Sequence, residues 1–172
     1  MRRGIAILLA GLVLAVATAS CNRSDAAKNE PPVLWLNKDD AAMNAAVAQA
    51  RSTLPKFRKL FEARPADVQQ FLVKVAMPTP QGGREHLWMV LQDWKDGSVS
   101  GVLINQPEAV PSLHDGDRIT AKLEAISDWS YAKHDKFYGQ YTTRVMLSRE
   151  PAADAAEISS TLWPQPLEPG RP

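Results

Sequence analysis

Three histidines each stand beside a carboxylate, and these pairs are the residues best suited to acid–base or metal chemistry. They are Glu85-His86, His114-Asp115 and His134-Asp135. A zinc site built on one element needs ligands at short spacing, such as two histidines four residues apart on a helix. The three pairs lie in different predicted elements and show no such spacing. We therefore expect turn or strand-end histidines, with no metal ion and no cofactor.

Other catalytic patterns are missing from the sequence. It contains no Gly-x-Ser-x-Gly turn for a nucleophilic serine and no glycine-rich loop followed by lysine and a hydroxyl residue for phosphate. Asp115 and Asp117 lie on either side of a glycine, which is typical of a tight turn. The lack of these catalytic patterns favours a non-catalytic binding or interaction module. A small hydrolase is one alternative, and an inhibitor or immunity-type protein is another. The hydrolase would use His86, Asp117, Asp128 and Arg144.

The overall charge gives no support to a polyanionic partner. The chain of 172 residues has 20 basic and 19 acidic side chains, a formal charge of +1. If residues 1–20 are removed, Arg2 and Arg3 leave with them and 18 basic residues face 19 acidic ones. Domains that bind nucleic acid usually carry a clear excess of basic residues. We expect no nucleic-acid partner.

The first twenty residues have the features of an export signal. Arg2 and Arg3 precede an apolar run from Ile5 to Ala17, and small residues follow up to Ser20. The run of thirteen residues is too short for a membrane-spanning helix, which requires about twenty. We interpret residues 1–20 as a cleaved signal peptide.

Cys21 is the only cysteine of the chain and follows this segment directly. Its position resembles the bacterial lipoprotein signal, in which the cysteine becomes the acylated first residue of the mature protein. A lone thiol is a liability in an oxidising compartment unless it is modified. The sequence thus predicts a lipoprotein of the bacterial cell envelope that faces the periplasm and holds the membrane through its acyl chains, palmitate included. An envelope protein or a cell-wall component is the expected further partner.

Two details bear on where the protein resides. Asn22, not aspartate, follows the cysteine, which favours the outer membrane over the inner one. Ala17-Thr18-Ala19 would also serve ordinary secretory cleavage. A secreted or soluble periplasmic protein is therefore the alternative.

The stretch from Glu85 to Pro107 predicts a β-hairpin around which the other elements are arranged. It turns at Asp96-Gly97, a dipeptide suited to the tight primed turns of hairpins. If these two residues form the loop, the strand register follows. The register pairs Lys95 with Ser98, Trp94 with Val99, Leu91 with Val102, Val90 with Leu103, Met89 with Ile104, and Trp88 with Asn105.

This register gives the hairpin one apolar face and one mixed face. The apolar face predicts a core made of Val47, Phe71, Val73, Leu87, Met89, Leu91, Val102, Ile104 and Leu123. The mixed face carries tryptophans beside polar groups, and we expect Val33–Leu36 or Leu162-Trp163 to cover its centre and leave a recognition rim. The candidate recognition residues are His86, Trp88, Asn105, Trp129, Tyr131 and Arg144.

The remaining elements follow from hydrophobic periodicity. Residues 21–36 predict a lipidated tether that ends in a short edge strand. Asp39-Asp40 predict the start of a helix whose apolar stripe is Met43, Val47, Ala50 and Leu54. The helix either continues through Pro55 or breaks there and restarts through Phe57, Leu60 and Phe61.

Alternating residues predict further strands at Val68–Met77, Arg118–Leu123 and Tyr138–Leu147, with Ile126–Trp129 as a corner between the last two. The fold class is α+β, with an N-terminal helix packed on a mostly antiparallel sheet of about five strands. Residues 37–149 form the predicted domain. Residues 150–172 form a proline- and alanine-rich tail in which only Leu162-Trp163 could dock.

The middle of the chain resembles the YegJ-like bacterial proteins, the family called domain of unknown function 2314. The similar region runs from about Asp40 to Leu147. The resemblance rests on DDAAMNAAVAQARSTLPKF, EHLWM, GSVSGVLINQP, HDGDRI, ISDWSY and YGQYTTRVM. One position departs from the family, because Gln140 stands where its pattern has glycine. The resemblance implies a small α+β domain and no established activity or catalytic residues.

Overall fold

The computed structural model describes residues 40–168, so the predicted signal peptide, Cys21, the tether and the edge strand at 33–36 lie outside the described residues. Six strands form one antiparallel sheet in the order β4-β3-β2-β1-β5-β6. The α+β fold class is confirmed, with six strands where about five were predicted. The elements are α1 (Ala41–Ala63), β1 (Gln70–Pro78), β2 (Arg84–Lys95), β3 (Ser98–Leu103), β4 (Arg118–Lys122), β5 (Ile126–Lys133), β6 (Lys136–Gly139), α2 (Tyr141–Leu147) and α3 (Ala152–Thr161).

Helix α1 begins where the sequence predicts and packs along one face of the sheet. The Asp40 carboxylate caps it by accepting the backbone N–H of Met43 at 3.0 Å. Of the two predicted alternatives, the continuous helix is the one observed, because α1 passes through Pro55 without a break. Pro55 and Arg51, whose carbonyl loses its helical donor, are both exposed, and solvent can supply the missing hydrogen bond.

The buried stripe of α1 is rotated from the predicted one. Met43 and Ala50 are buried as expected, whereas Val47 and Leu54 lie half-buried at its flank. Ala46, Phe57 and Phe61 complete the buried face. The two phenylalanines set this rotation because their large rings pack against Phe71 and Trp94 of the sheet.

The hairpin turn is confirmed at Asp96-Gly97, both in the left-handed region with φ of 49° and 74°. Lys95 pairs with Ser98 and Trp94 with Val99, as predicted. A β-bulge between Leu91 and Asp93 then shifts the register by one residue. Beyond it, the predicted pairs are wrong. Met89 faces Leu103, and Val90 faces Val102.

The bulge exchanges the residues of β3 that reach the core. Leu87, Met89 and Leu91 are buried beneath α1 as predicted, together with Phe71 and Val73. Trp94, Val99 and Leu103 are buried with them, in place of the predicted Val102 and Ile104. Those two lie half-buried on the opposite face. Leu123 packs against the core while partly exposed.

Two other predicted elements are wrong in kind. The corner at Ile126–Trp129 is the first half of β5, in which every residue is buried. Its Ser127 and Asp128 resembled turn residues, but they make interior hydrogen bonds. The strand predicted from Tyr138 to Leu147 is instead the end of β6 followed by helix α2. Gly139 and Gln140, with φ of 73° and 57°, turn the chain between them.

The chain after α2 returns to the sheet. The predicted tail contains α3, and Leu162 then forms a parallel bridge with Phe137 of β6. The Trp163 ring stacks on Tyr138 with the ring centroids 5.4 Å apart. The chain from 163 to 168 thus lies against the β6 edge of the sheet.

Candidate functional site

A buried polar cluster joins β1, β5 and the first turn of α2. The Lys74 ammonium donates to the Thr142 hydroxyl at 2.8 Å, and that hydroxyl donates to the Asp128 carboxylate at 2.6 Å. Asp128 also accepts the backbone N–H groups of Trp129, Tyr141 and Thr142 at 2.8, 3.1 and 2.8 Å. The carboxylate therefore orients the start of α2 and places Thr142 between the two charges.

Both charges of this cluster are strongly desolvated. Lys74 is 1% exposed and Asp128 is fully buried. Burial lowers the pKa of Lys74 to about 8, while the Asp128 carboxylate raises it part of the way back. Burial likewise raises the pKa of Asp128, against the attraction of Lys74 and the hydrogen bonds from Thr142. A lysine with such a pKa could serve as a base or nucleophile, but only if a substrate could reach it.

His86 extends the cluster towards the end of the sheet. Its Nδ1 lies 2.8 Å from the Ser127 hydroxyl, which donates to the Lys74 carbonyl at 3.2 Å. Burial first, and then the positive charges of Lys74, Arg84 and Arg51, lower the pKa of His86 to about 4. The imidazole is therefore neutral near pH 7. Both side chains are buried, so the hydrogen bond between Ser127 and His86 lies in the interior, away from solvent.

Trp88 and Asn105 lie in the interior beside the same cluster. The Asn105 amide oxygen accepts the Trp88 backbone N–H at 2.7 Å, and both residues are 1% exposed. The Lys74 ammonium lies 4.7 Å from the centroid of the Trp88 ring, in a cation–π contact. Through these contacts, His86, Trp88 and Asn105 help to hold the interior of the domain together. A role for them in recognition stays a prediction.

Trp129 and Tyr131 belong to a row of stacked aromatic rings on the other face of the sheet. Phe57 stacks on Trp129 at 5.0 Å between centroids, and Trp129 is followed by Tyr131 at 6.1 Å. Tyr138 lies 4.7 Å beyond Tyr131, and Trp163 continues the row. The indole N–H of Trp129 donates to the Ala50 carbonyl at 2.9 Å, which fixes the ring under α1.

A groove runs between α1 and the segment Trp163–Glu168, above Phe57, Trp129 and Tyr131 of the aromatic row. It consists of three adjoining cavities of about 300, 440 and 260 Å³. The first is lined by Trp129 and Tyr131, which are only 1% and 4% exposed, and by the exposed Lys56 and Lys59 of α1 at its rim. The third ends at Arg144. The groove thus brings together three of the six candidate recognition residues, Trp129, Tyr131 and Arg144, and leaves out His86, Trp88 and Asn105.

Arg144 holds the C-terminal segment against the sheet. Its guanidinium donates to the Trp163 carbonyl at 2.7 Å, to the Pro164 carbonyl at 3.5 Å and to the Gly139 carbonyl at 2.9 Å. All three acceptors are backbone carbonyls, which the fixed array of guanidinium N–H donors is well suited to bind.

Several residues of these sites were missed from the sequence. Lys74 alternates with apolar neighbours, so its position predicted a solvent-facing side chain, and no local signal marks it as buried. Thr142 lay in a predicted strand. Lys56 and Lys59 were overlooked because helix lysines are usually solvated. A proline-containing stretch with an aromatic residue, as in Trp163–Leu167, is the one signal that could have directed attention to the groove.

Residues 40–168 contain neither a metal-binding cluster nor a membrane-spanning helix. No group of three or more histidine, cysteine, aspartate or glutamate side chains is placed to hold a metal ion in this part of the chain. Over the same described range, every helix is too short or too polar to span a membrane.

Comparison with known proteins places the chain in a family. The family model described as "Uncharacterized protein conserved in bacteria (DUF2314)" matches residues 40–160. The chain belongs to this family. The DUF2314 region therefore covers all nine helices and strands given above except the last residue of α3. No solved structure matches the chain significantly.

Two curated proteins are similar to this chain. "Uncharacterized protein YegJ" of Escherichia coli (strain K12) is 35% identical over 124 residues, which are 72% of this chain and 79% of that protein. "Putative ankyrin repeat protein NMB1133/NMB1171" of Neisseria meningitidis serogroup B (strain ATCC BAA-335 / MC58) is 28% identical over 122 residues. That match covers 66% of this chain and 48% of the relative, so the similar region is about half of the Neisseria protein.

Proposed function

We propose that this protein is a lipid-anchored module of the bacterial cell envelope that binds a periplasmic or envelope partner without catalysing a reaction. The anchor is Cys21, acylated after removal of residues 1–20. The binding surface is the groove between α1 and Trp163–Glu168. The observation that carries the proposal is the contrast between this open groove and the sealed interior, where the reactive groups lie.

Burial argues against a catalytic use of the polar cluster. Lys74, Asp128, His86 and Ser127 are 6% exposed or less, and their hydrogen bonds are directed at one another and at nearby backbone groups. A substrate would have to displace β1, β5 or α2 to reach them. Fully bonded buried networks of this kind fix one arrangement of a core. We assign the cluster to positioning α2 and β5.

The groove has the chemistry of a recognition surface. Its accessible lining is mainly apolar, from Leu60, Ala63, Pro65 and Leu167 above the buried Trp129 and Tyr131, and its α1 rim carries the ammonium groups of Lys56 and Lys59. An apolar patch with a polar rim is a common arrangement where proteins bind partners, and the charges of the rim add selectivity. A partner with apolar and acidic groups fits best.

The membrane anchor would set the orientation of this surface. Residues 22–39 separate Cys21 from the N-cap residue Asp40. A fully extended chain of this length reaches at most roughly 60 Å. The groove would then lie within reach of proteins and cell-wall polymers next to the membrane.

Site-specific crosslinking in the native envelope tests the binding role. A photoreactive amino acid at Lys59 should give a discrete crosslinked product, because this position lies at the groove rim. The matched control is the same amino acid at Lys95, an exposed residue next to the hairpin turn that does not line the groove. It should give no product. Equal products at both positions, or none at Lys59, would argue against the groove as a binding surface.

A further inference from the structure

The segment Trp163–Glu168 is held by contacts that resemble those of a bound peptide. It carries the sequence WPQPLE and follows α3 without a gap beyond Leu162. Its two prolines restrict the backbone before it docks, which lowers the entropy lost on binding. The segment packs against β6 and α2, and its last residues form one wall of the groove.

Backbone hydrogen bonds join the segment to the edge strand β6. The Trp163 N–H donates to the Phe137 carbonyl at 2.9 Å, and the Gly139 N–H donates to the Pro166 carbonyl at 2.7 Å. An edge strand offers unpaired groups of this kind, and adding an extended peptide to such an edge is a recurring mode of recognition. These bonds depend on the peptide backbone, so they would accept another chain as readily.

Side-chain contacts supply selectivity at both ends of the segment. At its start, the Trp163 ring stacks on Tyr138 and its carbonyl accepts from Arg144. At its end, the Glu168 carboxylate accepts from the Lys133 ammonium at 2.7 Å, and the same ammonium lies 3.0 Å from Asp67. The surface therefore selects an aromatic side chain, proline-flanked carbonyls and an acidic group in that order.

We propose that the C-terminal segment is a displaceable occupant of this surface, and that the partner of the protein is an extended proline-containing peptide with an aromatic residue at its start and a carboxylate at its end. The inference rests on the binding role proposed above and names the class of partner, which would take the place of the segment that now forms one wall of the groove. The protein's own segment competes with that peptide. Because α3 tethers it, its effective concentration is on the order of millimolar, so the intact chain binds the peptide weakly.

Peptide binding to the full chain in detergent micelles tests this directly. The probe is a labelled peptide of residues 161–168, TLWPQPLE, followed by fluorescence polarisation. The double variant Trp163→Ala/Glu168→Lys releases the segment and leaves the surface intact. It should bind the probe at least tenfold more tightly than the wild-type chain. A probe with Gln165→Ala, which alters an exposed residue, is the matched control and should bind equally well.

A charge exchange separates recognition from folding. Lys133→Glu, added to the released variant, should abolish binding of the normal probe and restore binding of a probe carrying Glu168→Lys. Arg144→Gln should abolish binding of both probes. A thermal melt of each variant establishes that it is folded, and rescue by the exchanged probe excludes a merely structural effect.

The outcomes are distinct. Equal affinity of the wild-type and released chains, or no affinity in either, would overturn the inference. Concentration-dependent dimers in which the segment of one copy occupies the other would overturn it in favour of a second copy as occupant. Crosslinks from Lys59 that persist while the peptide fails would overturn the peptide class and leave the binding role standing, whereas loss of both would remove both.

Discussion

Asp128 connects three parts of the interior through one carboxylate. It accepts hydrogen bonds from β5 and from the first turn of α2, and Thr142 links it to Lys74 of β1. Removing one member of a buried charged pair leaves the other without compensation, which is usually more destabilising than removing both. The energetic role of this cluster can therefore be measured by single and double substitution.

Asp128→Asn should lower the free energy of unfolding by about 3–5 kcal/mol, because the Lys74 charge then has no carboxylate near it. Lys74→Met combined with Asp128→Asn should recover part of that loss. Urea denaturation of the wild type and of the single and double variants gives the coupling free energy. Additive effects would mean that the two charges do not interact through Thr142.

His86 predicts a loss of stability in mild acid. Its pKa is about 4 in the folded protein and 6.5 without the fold. Between these values the unfolded chain binds more protons, so the stability present above pH 6.5 falls as the pH drops towards 4, by about 3 kcal/mol in all. His86→Asn, which can still bond to Ser127, should flatten the stability curve over this range.

The comparison isolates His86 from other acid-sensitive groups. The bond with Arg149 holds the pKa of Asp40 at about 2, so the contribution of Asp40 is lost only below its ordinary value of 3.8. The wild type should therefore lose stability relative to His86→Asn as the pH falls from 6.5 to 4, so the difference between their free energies of unfolding should change by about 3 kcal/mol. Parallel curves across that window would contradict the burial of a neutral imidazole.

At the scale of elements, the turn between β6 and α2 depends on two residues with positive φ. A Cβ added to Gly139 would lie 2.2 Å from the Trp129 carbonyl oxygen, so Gly139→Ala should lower the free energy of unfolding by about 2–4 kcal/mol. Gln140 occupies the left-handed region although it is not glycine. Gln140→Gly relieves that strain and loses the bond with Thr143.

These opposing changes should leave Gln140→Gly within about 1 kcal/mol of the wild type. The glycine that the family pattern has at this position is then explained by backbone conformation. Thermal or urea denaturation of both variants measures the difference. A large loss in Gln140→Gly, comparable with that of Gly139→Ala, would mean that the Gln140 side chain and not its backbone sets the turn.

The elements that could be predicted from sequence are those with local signals. Asp96-Gly97 set the hairpin turn and Asp40 set the start of α1, because both depend on neighbouring residues alone. The bulge near Gln92 has no such signal. It accommodates Gly101, where a Cβ would meet the Val90 carbonyl oxygen at 2.1 Å, and that approach exists only once β2 and β3 have paired.

The misassigned elements share a second cause. Ser127 and Asp128 were interpreted as turn residues because such side chains bond to local backbone. Their partners lie instead on β1, β2 and α2, far along the chain. Tyr141 to Val145 suggested a strand through β-branched propensity, and the Asp128 carboxylate overrides that preference by capping a helix there. For the candidate site, Trp129, Tyr131 and Arg144 could be proposed from the sequence, but the groove beside which they lie could not.

At the scale of the whole molecule, the predicted membrane anchor at Cys21 can be tested separately from the binding surface. Cys21→Ser should release the protein into the soluble periplasm or leave the precursor uncleaved, since stable membrane residence requires two or more acyl chains at about 0.8 kcal/mol per buried methylene. Cell fractionation and intact-mass measurement of the purified protein check this. An unmodified mature chain beginning at or before Ser20 would contradict lipidation.

Substitutions in the groove and in the interior polar cluster should have different effects on stability and on partner binding. Lys59→Glu changes only the groove rim, whereas Thr142→Val breaks the bridge between Lys74 and Asp128. The first should leave the melting temperature unchanged. The second should lower the free energy of unfolding by about 1–3 kcal/mol through unsatisfied buried groups.

The most direct test is the yield of the envelope crosslink from a photoreactive residue at Lys56, measured per folded molecule in these two variants. We expect Lys59→Glu to reduce the yield at least tenfold and Thr142→Val to retain it. Loss of the crosslink in a folded Thr142→Val protein, with an undiminished yield in Lys59→Glu, would contradict the account and assign the function to the interior cluster.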